Sequence, residues 1–174
     1  MADLVLTLIG PDRPGLVEAV ARPIADNGGN WLESRMAHLA GQFAGILRIE
    51  VPDDRAPALV EALRALSSRG LRLVVETSPS APLAKDRRLM ALEVVGVDRP
   101  GIVREIARVL AERGVNIEEL ETDRSTAPMT AEPLFRSRAR VHVPASSDPG
   151  DLRAALERVA GDLMVQVSLA EADG

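Results

Sequence analysis

Apolar and polar positions alternate at the beginning of the chain, where leucine stands at positions 4, 6 and 8. A period of two is typical of a β-strand, so we predict a first strand at residues 3–10. The spacing then becomes that of a helical face, which predicts a helix at residues 13–27 with Pro14 at its first position. Pro23 removes one backbone donor inside this helix, so we expect a kink in its last turn. The predicted helical face consists of Leu16, Val17, Val20, Ala21 and Ile24.

Two extended runs follow the helix, at residues 30–39 and 43–52, and the short connection between them predicts a hairpin. A second helix comes next, capped by Asp54 and carrying Pro57 in its first turn. Gly70 ends this helix, and residues 71–76 form a fourth strand. The predicted order is therefore βαββαβ. Leucines with helical spacing mark the buried face of the second helix, at Leu59, Leu63 and Leu66.

The second half of the chain repeats the first. The octapeptide GPDRPGLV at residues 10–17 returns as GVDRPGIV at residues 96–103, with six identities at an offset of 86. The second helices match at an offset of 93, so the second half has gained residues, which we place in its hairpin near 126–133. We predict two domains, residues 1–77 and 88–174, joined by a linker at residues 78–87.

Two right-handed crossovers with a hairpin between them give a four-stranded antiparallel sheet with both helices on one face. We therefore predict an α+β protein made of two ferredoxin-like domains. The other face of each sheet is left open, with Val5, Ile9 and Val95 on it. Domains this small are marginally stable alone, so this face or a sheet edge is expected to dock the halves or subunits together.

Composition excludes several classes of function. The 174 residues contain no cysteine, which removes disulfides and thiolate chemistry and favours a cytoplasmic protein. The longest apolar runs are too short to span a membrane. The net charge is −5, basic residues are scattered, and aromatic residues make up 2% of the chain. Direct binding of nucleic acid normally needs a basic stripe or aromatic stacking residues, so a role in transcription would require a protein partner.

The repeated turn offers an anion-binding site. The first amides of a helix have no acceptor within the helix and lie at the positive end of its dipole, where a carboxylate fits. Asn30 and Asn116, on the strands that follow these helices, can add a donor and an acceptor for an amino acid. The alternative is a turn that only starts a helix, with Asp12 as its cap and Arg13 in solvent.

Catalytic residues are not evident. His38 and His142 fall on non-equivalent strands and lack partners with metal-ligand spacing. No nucleophile motif or dinucleotide fingerprint is present, so we predict no enzyme activity, no metal and no cofactor. An enzyme that binds a metal through Asp12 and Asp98 is the catalytic alternative.

The βαββαβ order, the Asp-Arg-Pro-Gly turn after strand one and the Gly-x-Asn after helix one resemble the ACT domain, twice. Two such domains without a catalytic domain, and the residues around Glu33-Ser34-Arg35, resemble the glycine cleavage system transcriptional repressor group. The resemblance implies an amino acid effector, glycine in this group, bound where ACT domains meet, and a partner that is a DNA-binding activator of the glycine cleavage genes. We also expect the protein to form a homo-oligomer. The alternative function is that of a regulatory or interaction subunit of an amino-acid metabolic enzyme, with no ligand of its own.

The resemblance places ligand-binding residues in both halves. In the first they are Asp12, Arg13, Pro14, Gly15, Leu16 and Asn30. In the second they are Asp98, Arg99, Pro100, Gly101, Ile102 and Asn116. Trp31 stands where the family has a smaller aliphatic residue, as Ile117 is in the second half, so we expect the first pocket to be narrower.

Overall fold

The computed structural model describes residues 1–78 and 86–172. The chain divides into two compact units, Met1–Pro82 and Leu83–Gly174. Most of the predicted linker lies outside the described residues. At its two ends, the Ser78 amide donates to the carbonyl of Asp3 over 3.0 Å, and the carbonyl of Asp86 accepts from Ala145 over 2.9 Å.

The first unit has the predicted βαββαβ order, with a short 3-10 helix, Ala65–Arg69, after the second helix. Its four strands form one sheet in the order β2-β3-β1-β4, and every neighbouring pair is antiparallel. The elements are β1 (Ala2–Pro11), α1 (Leu16–Asp26), β2 (Asn30–Leu39), β3 (Gln42–Val51), α2 (Ala56–Arg64) and β4 (Arg72–Thr77).

The second unit repeats this plan, with a sheet in the order β6-β7-β5-β8 and antiparallel neighbours throughout. Its hairpin connection spans residues 127–132, whereas that of the first unit spans residues 40–41. The predicted insertion in the second hairpin is therefore confirmed. The elements are β5 (Arg87–Val97), α3 (Ile102–Glu112), β6 (Asn116–Thr126), β7 (Pro133–Pro144), α4 (Pro149–Leu163) and β8 (Val165–Glu171).

Alternation along the central strands decides which face of each sheet is buried. Leu4, Leu6 and Leu8 of β1 are at most 4% exposed and pack in one cluster with apolar residues of both helices. Full burial of one such side chain stabilises the fold by about 1.5–3 kcal/mol. Val5 and Ile9 alternate with these leucines and are half-buried on the opposite face, as predicted.

The first helix begins three residues later than predicted. Gly15 precedes it with a φ of 87°, in the left-handed region, so the chain cannot be helical through this residue. Pro14 therefore lies in the turn and not at the first helical position. The second unit shows the same arrangement, since Gly101 has a φ of 95° and α3 begins at Ile102. Helix α1 continues past Pro23 to Asp26.

The predicted cap of the second helix is also wrong. Arg55 occupies the cap position of α2, with no side-chain capping bond, and the carboxylate of Asp54 lies 3.8 Å from the guanidinium of Arg55. The backbone explains the difference, because the amides of Arg55 and Ala56 both donate to the carbonyl of Pro52, at 2.9 and 3.0 Å. This turn satisfies the donors that a capping side chain would have bonded.

None of the helices formed by the described residues is both long enough and apolar enough to cross a membrane.

Candidate ligand site

The repeated octapeptide forms the same turn in both units, between the first strand and the first helix. The first bonds inside the helices run from Ala19 to the carbonyl of Gly15, at 2.9 Å, and from Glu105 to that of Gly101, at 3.0 Å. Neither α1 nor α3 has a side-chain capping bond. The amides at residues 16–18 and 102–104 thus lack a helical acceptor and can bind an anion.

The glycine that opens the octapeptide has a different role from the glycine that starts the helix. A Cβ at Gly10 would lie 2.9 Å from the carbonyl oxygen of Gly70, and one at Gly96 would lie 2.8 Å from the Cα of Val165. Gly10 thus allows a close approach to the residues just before β4, and Gly96 allows a close approach to the first residue of β8. At Gly15 and Gly101 an added Cβ would have no neighbour within 4 Å, so the positive φ alone favours glycine there.

The aspartates of the two turns lie beside side chains of β2 and β6 instead of capping a helix. The carboxylate of Asp12 lies 3.6 Å from Nε2 of His38, and that of Asp98 lies 2.8 Å from Nε of Arg124. His38 and Arg124 occupy equivalent positions of β2 and β6, 86 residues apart. Asp12 is therefore not the cap that the alternative interpretation of the turn proposed, and each aspartate connects its turn to the neighbouring hairpin.

Backbone bonds strengthen the same connection. The Asp12 amide donates to the carbonyl of Gly41 at 2.9 Å, and the Asp98 amide donates to that of Pro133 at 2.8 Å. Arg13 is also engaged, since its guanidinium donates to the backbone carbonyl of Arg69. Arg13 is exposed, in agreement with the solvated arginine of the alternative interpretation.

The two asparagines lie far from the turns of their own units. Asn30 is in register with Glu50, which is in register with Asp3, whereas the turn follows Pro11 at the other end of β1. At about 3.3 Å per residue, the length of strand between Asp3 and Pro11 is roughly 26 Å. Asn116 is placed in the same way, at the opposite end of the second sheet. Neither unit by itself brings the predicted turn and asparagine together.

A group of ionisable side chains lies on the strands next to Asn116. It is in register with His142, and the carboxylate of Glu118 lies 3.4 Å from Nε2 of His142 and 3.7 Å from Nε of Arg140. These two nitrogen atoms are buried and have no hydrogen-bond partner within the described ranges. The sequence interpretation missed this group because it depends on a strand irregularity between Ile117 and Glu119, where Glu118 has no register partner on β7.

Arg48, the counterpart of Arg140 in the first unit, forms a salt bridge with an aspartate. Its guanidinium makes three bonds of 2.6–3.0 Å to the carboxylate of Asp3. Hydrogen bonding to Arg48 lowers the pKa of Asp3, and burial opposes this shift only in part. Leu89 stands at the position of Asp3 in the second unit and offers no such carboxylate. The corresponding ends of the two sheets therefore differ in charge.

Trp31, which was expected to narrow the first pocket, packs against the hydrophobic core of the first unit. Its neighbour Asn30 is exposed. In the part of the chain that the structure describes, no group of three or more histidine, cysteine, aspartate or glutamate side chains is placed to hold a metal ion.

Family models described as "ACT domain" match residues 2–76 and 90–161. The chain belongs to the ACT-domain family. Both matches begin at the first strand of a unit and include the turn and the first helix, so each unit is an ACT domain. The expected ferredoxin-like fold and the family resemblance are both confirmed.

Relatives match the chain as a tandem pair of ACT domains. The glycine cleavage system transcriptional repressor of Escherichia coli is 26% identical over 95% of this chain and 88% of its own length. The phosphoserine phosphatase SerB2 of Mycobacterium tuberculosis is 27% identical over 95% of this chain, but over 40% of its own length. A crystal structure of an unknown protein from Galdieria sulphuraria is 31% identical, covers 99% of each chain and has a TM-score of 0.89. The chain thus resembles the repressor over nearly its whole length.

Proposed function

We propose that this tandem ACT-domain protein is a non-catalytic, cytoplasmic regulator that senses a small amino acid and acts on transcription through a protein partner. The observation that carries the proposal is the uncapped helix start that follows the Asp-Arg-Pro-Gly turn in both domains. A helix start with free amides suits the carboxylate that every amino acid carries. The similarity to the glycine cleavage repressor makes glycine the first candidate effector.

The ligand contacts that we propose are those predicted from the sequence, centred on the two turns and the two asparagines. Because the turn and the asparagine of one domain lie at opposite ends of its sheet, a ligand that touches both of these residues would take one contact from another copy of the chain. Symmetric dimers are the commonest way to supply such a contact. We therefore propose a homo-oligomer as the form that binds the effector.

Mixing two variants tests the shared site. Asp98→Ala removes the turn aspartate, and Asn116→Ala removes the asparagine at the other end of the sheet. If the second-domain site uses both residues from different copies, each variant alone binds poorly, and refolding the two together restores part of the binding. No recovery in the mixture, with both variants folded, would contradict a site shared between copies.

A thermal-shift panel of the twenty amino acids tests the sensing function. A ligand at 100 times its dissociation constant stabilises the folded protein by about 2.7 kcal/mol, which is worth about 5–10 °C for a chain of this size. The Asp98→Ala, Asn116→Ala double variant should lose the shift that arises from the second domain, whereas Asp162→Ala, on the exposed side of α4, should keep it. An unchanged melting temperature with all twenty at millimolar concentration would refute the proposal.

The similarity to SerB2, an enzyme more than twice as long as the matched region, favours a second candidate. In it the chain is a regulatory or interaction subunit of an amino-acid metabolic enzyme and has no ligand of its own. A pull-down from cell extract distinguishes the two candidates. The second predicts a stable enzyme partner whose recovery does not change when amino acids are added, whereas the first predicts a DNA-binding partner whose recovery depends on the effector.

A further inference from the structure

The second domain contains a small cleft between α3 and the β6–β7 side of its sheet, with a volume of about 20 Å³. Among the described residues that line it, Ser137 is the one with a polar side chain, and it is only 7% exposed. The apolar wall includes Val94, Ile102, Ile106, Ile117, Phe135 and Ala139.

The cleft results from small side chains at positions where the first domain has large ones. Leu6 and Leu92 are equivalent residues of the two domains, 86 positions apart. Leu47 is in register with Leu6 and Ala139 is in register with Leu92, so Leu47 is the counterpart of Ala139. Leu47 is 1% exposed, so the first domain buries a leucine at this position.

The edge strands show the same change. Trp31 and Met36 of β2 correspond to Ile117 and Thr122 of β6. Cγ of Met36 lies 2.5 Å from the position that a Cβ on Gly45, the counterpart of Ser137, would take. Met36 thus fills the space beside Gly45, whereas the second domain has the shorter Thr122 and the larger Ser137 at these two positions.

The size of the cleft limits what it can hold. A cavity needs about 10–15 Å³ by this measure to hold one water-sized group, so the cleft has room for one methyl or hydroxyl group. Its apolar wall favours a methyl, and Ser137 can bond a hydroxyl. Val103 and Leu120 line the cleft and are 44% and 47% exposed. Val103 is the second residue of α3, so the cleft borders the uncapped start of this helix.

We propose that this cleft is the side-chain pocket of the second domain for a small amino acid, of the size of alanine or serine, whose carboxylate meets the first turn of α3. The inference rests on the proposed sensing function and narrows its effector. Glycine has no side chain and gains nothing from the cleft, whereas valine is too large to enter it. The first domain, in which Leu47 and Met36 occupy the matching space, should not share this preference.

Equilibrium dialysis of labelled glycine, L-alanine, L-serine and L-valine against the whole protein tests the pocket. Burial of one methyl group should make alanine bind about fourfold tighter than glycine, and valine should bind more weakly than alanine. Ala139→Leu, which restores the leucine of the first domain, should remove the preference for alanine. Ala91→Leu is the matched control, since Ala91 alternates with the buried Leu92 and faces away from the cleft. Ile117→Trp is a second filling variant in case Ala139→Leu perturbs the fold.

The outcomes separate this inference from the proposed function. Equal affinities for glycine and alanine would overturn the pocket and leave amino-acid sensing intact. A fourfold preference that survives in both filling variants would also overturn the pocket, because the preference would then arise elsewhere. No binding of any amino acid would overturn both proposals. Loss of the preference in the filling variants, but not in Ala91→Leu, is the supporting result.

Discussion

Replacing Gly101 with alanine tests whether the turn depends on a left-handed residue. Gly101 has a φ of 95°, and an added Cβ would have no neighbour within 4 Å, so a steric clash with the rest of the fold does not contribute. The remaining cost is that of an L-residue in the left-handed region, about 1–2 kcal/mol. For a chain of this size, each 1 kcal/mol lowers the melting temperature by about 2–4 °C. We therefore expect Gly101→Ala to lower it by at least 2 °C.

Gly161→Ala provides the matched control for this experiment. Gly161 lies within α4, its φ is not in the left-handed region, and an added Cβ would likewise meet nothing within 4 Å. Alanine is the better residue inside a helix, so this variant should be stabilised by about 0.5–1 kcal/mol. Urea denaturation, followed by circular dichroism, gives both free energies of unfolding. The reasoning is refuted if Gly101→Ala is as stable as the parent protein, or if both variants shift in the same direction.

Three further variants test the structure elsewhere. Gly96→Ala should destabilise more than Gly101→Ala, because the new Cβ would lie 2.8 Å from the Cα of Val165 and the backbone would have to move; an equal or smaller loss in urea denaturation would contradict this packing. Met164→Gly should stabilise the protein by about 1 kcal/mol in the same assay, because Met164 follows α4 with a φ of 55° and its side chain is 64% exposed. A loss of stability would contradict this, since it would mean that the Met164 side chain contributes packing. Asp3→Asn should make the melting temperature fall less steeply as the pH is lowered. Arg48 lowers the pKa of Asp3 in the folded protein, so the ionised carboxylate stabilises the fold at neutral pH, and this stabilisation is lost as the pH falls through that pKa. A variant curve parallel to that of the parent protein below about pH 5 would contradict this role.

The hydrophobic pattern was sufficient to predict the element order, the sheet plan and the position of the hairpin insertion. Leucines at every second position of β1 and at helical spacing in α2 make the buried faces unambiguous. The helix starts were mispredicted because Pro14 suits both the first helical position and the turn before a left-handed glycine. Only the backbone angle of Gly15 distinguishes the two.

The predicted site was harder to derive, because the pairing of strands in the sheet, and not the distance along the sequence, decides which of its residues are neighbours. The partners of Asp12 and Asp98, His38 and Arg124, come from a strand that begins after the helix, and their types differ between the repeats. The common offset of 86 residues was the available signal for this pair. Strands β1 and β2 run parallel, so their first residues lie at the same end of the sheet. Asn30 is the first residue of β2, whereas the turn follows the last residue of β1, and the two are therefore at opposite ends.

Equilibrium dialysis of the intact chain against labelled amino acids tests the central claim most directly. Our account predicts saturable binding of at least one small amino acid, reduced in the Asp98→Ala, Asn116→Ala double variant and retained in Asp162→Ala. Absence of saturable binding for all twenty amino acids, with a folded protein at millimolar ligand, would contradict it.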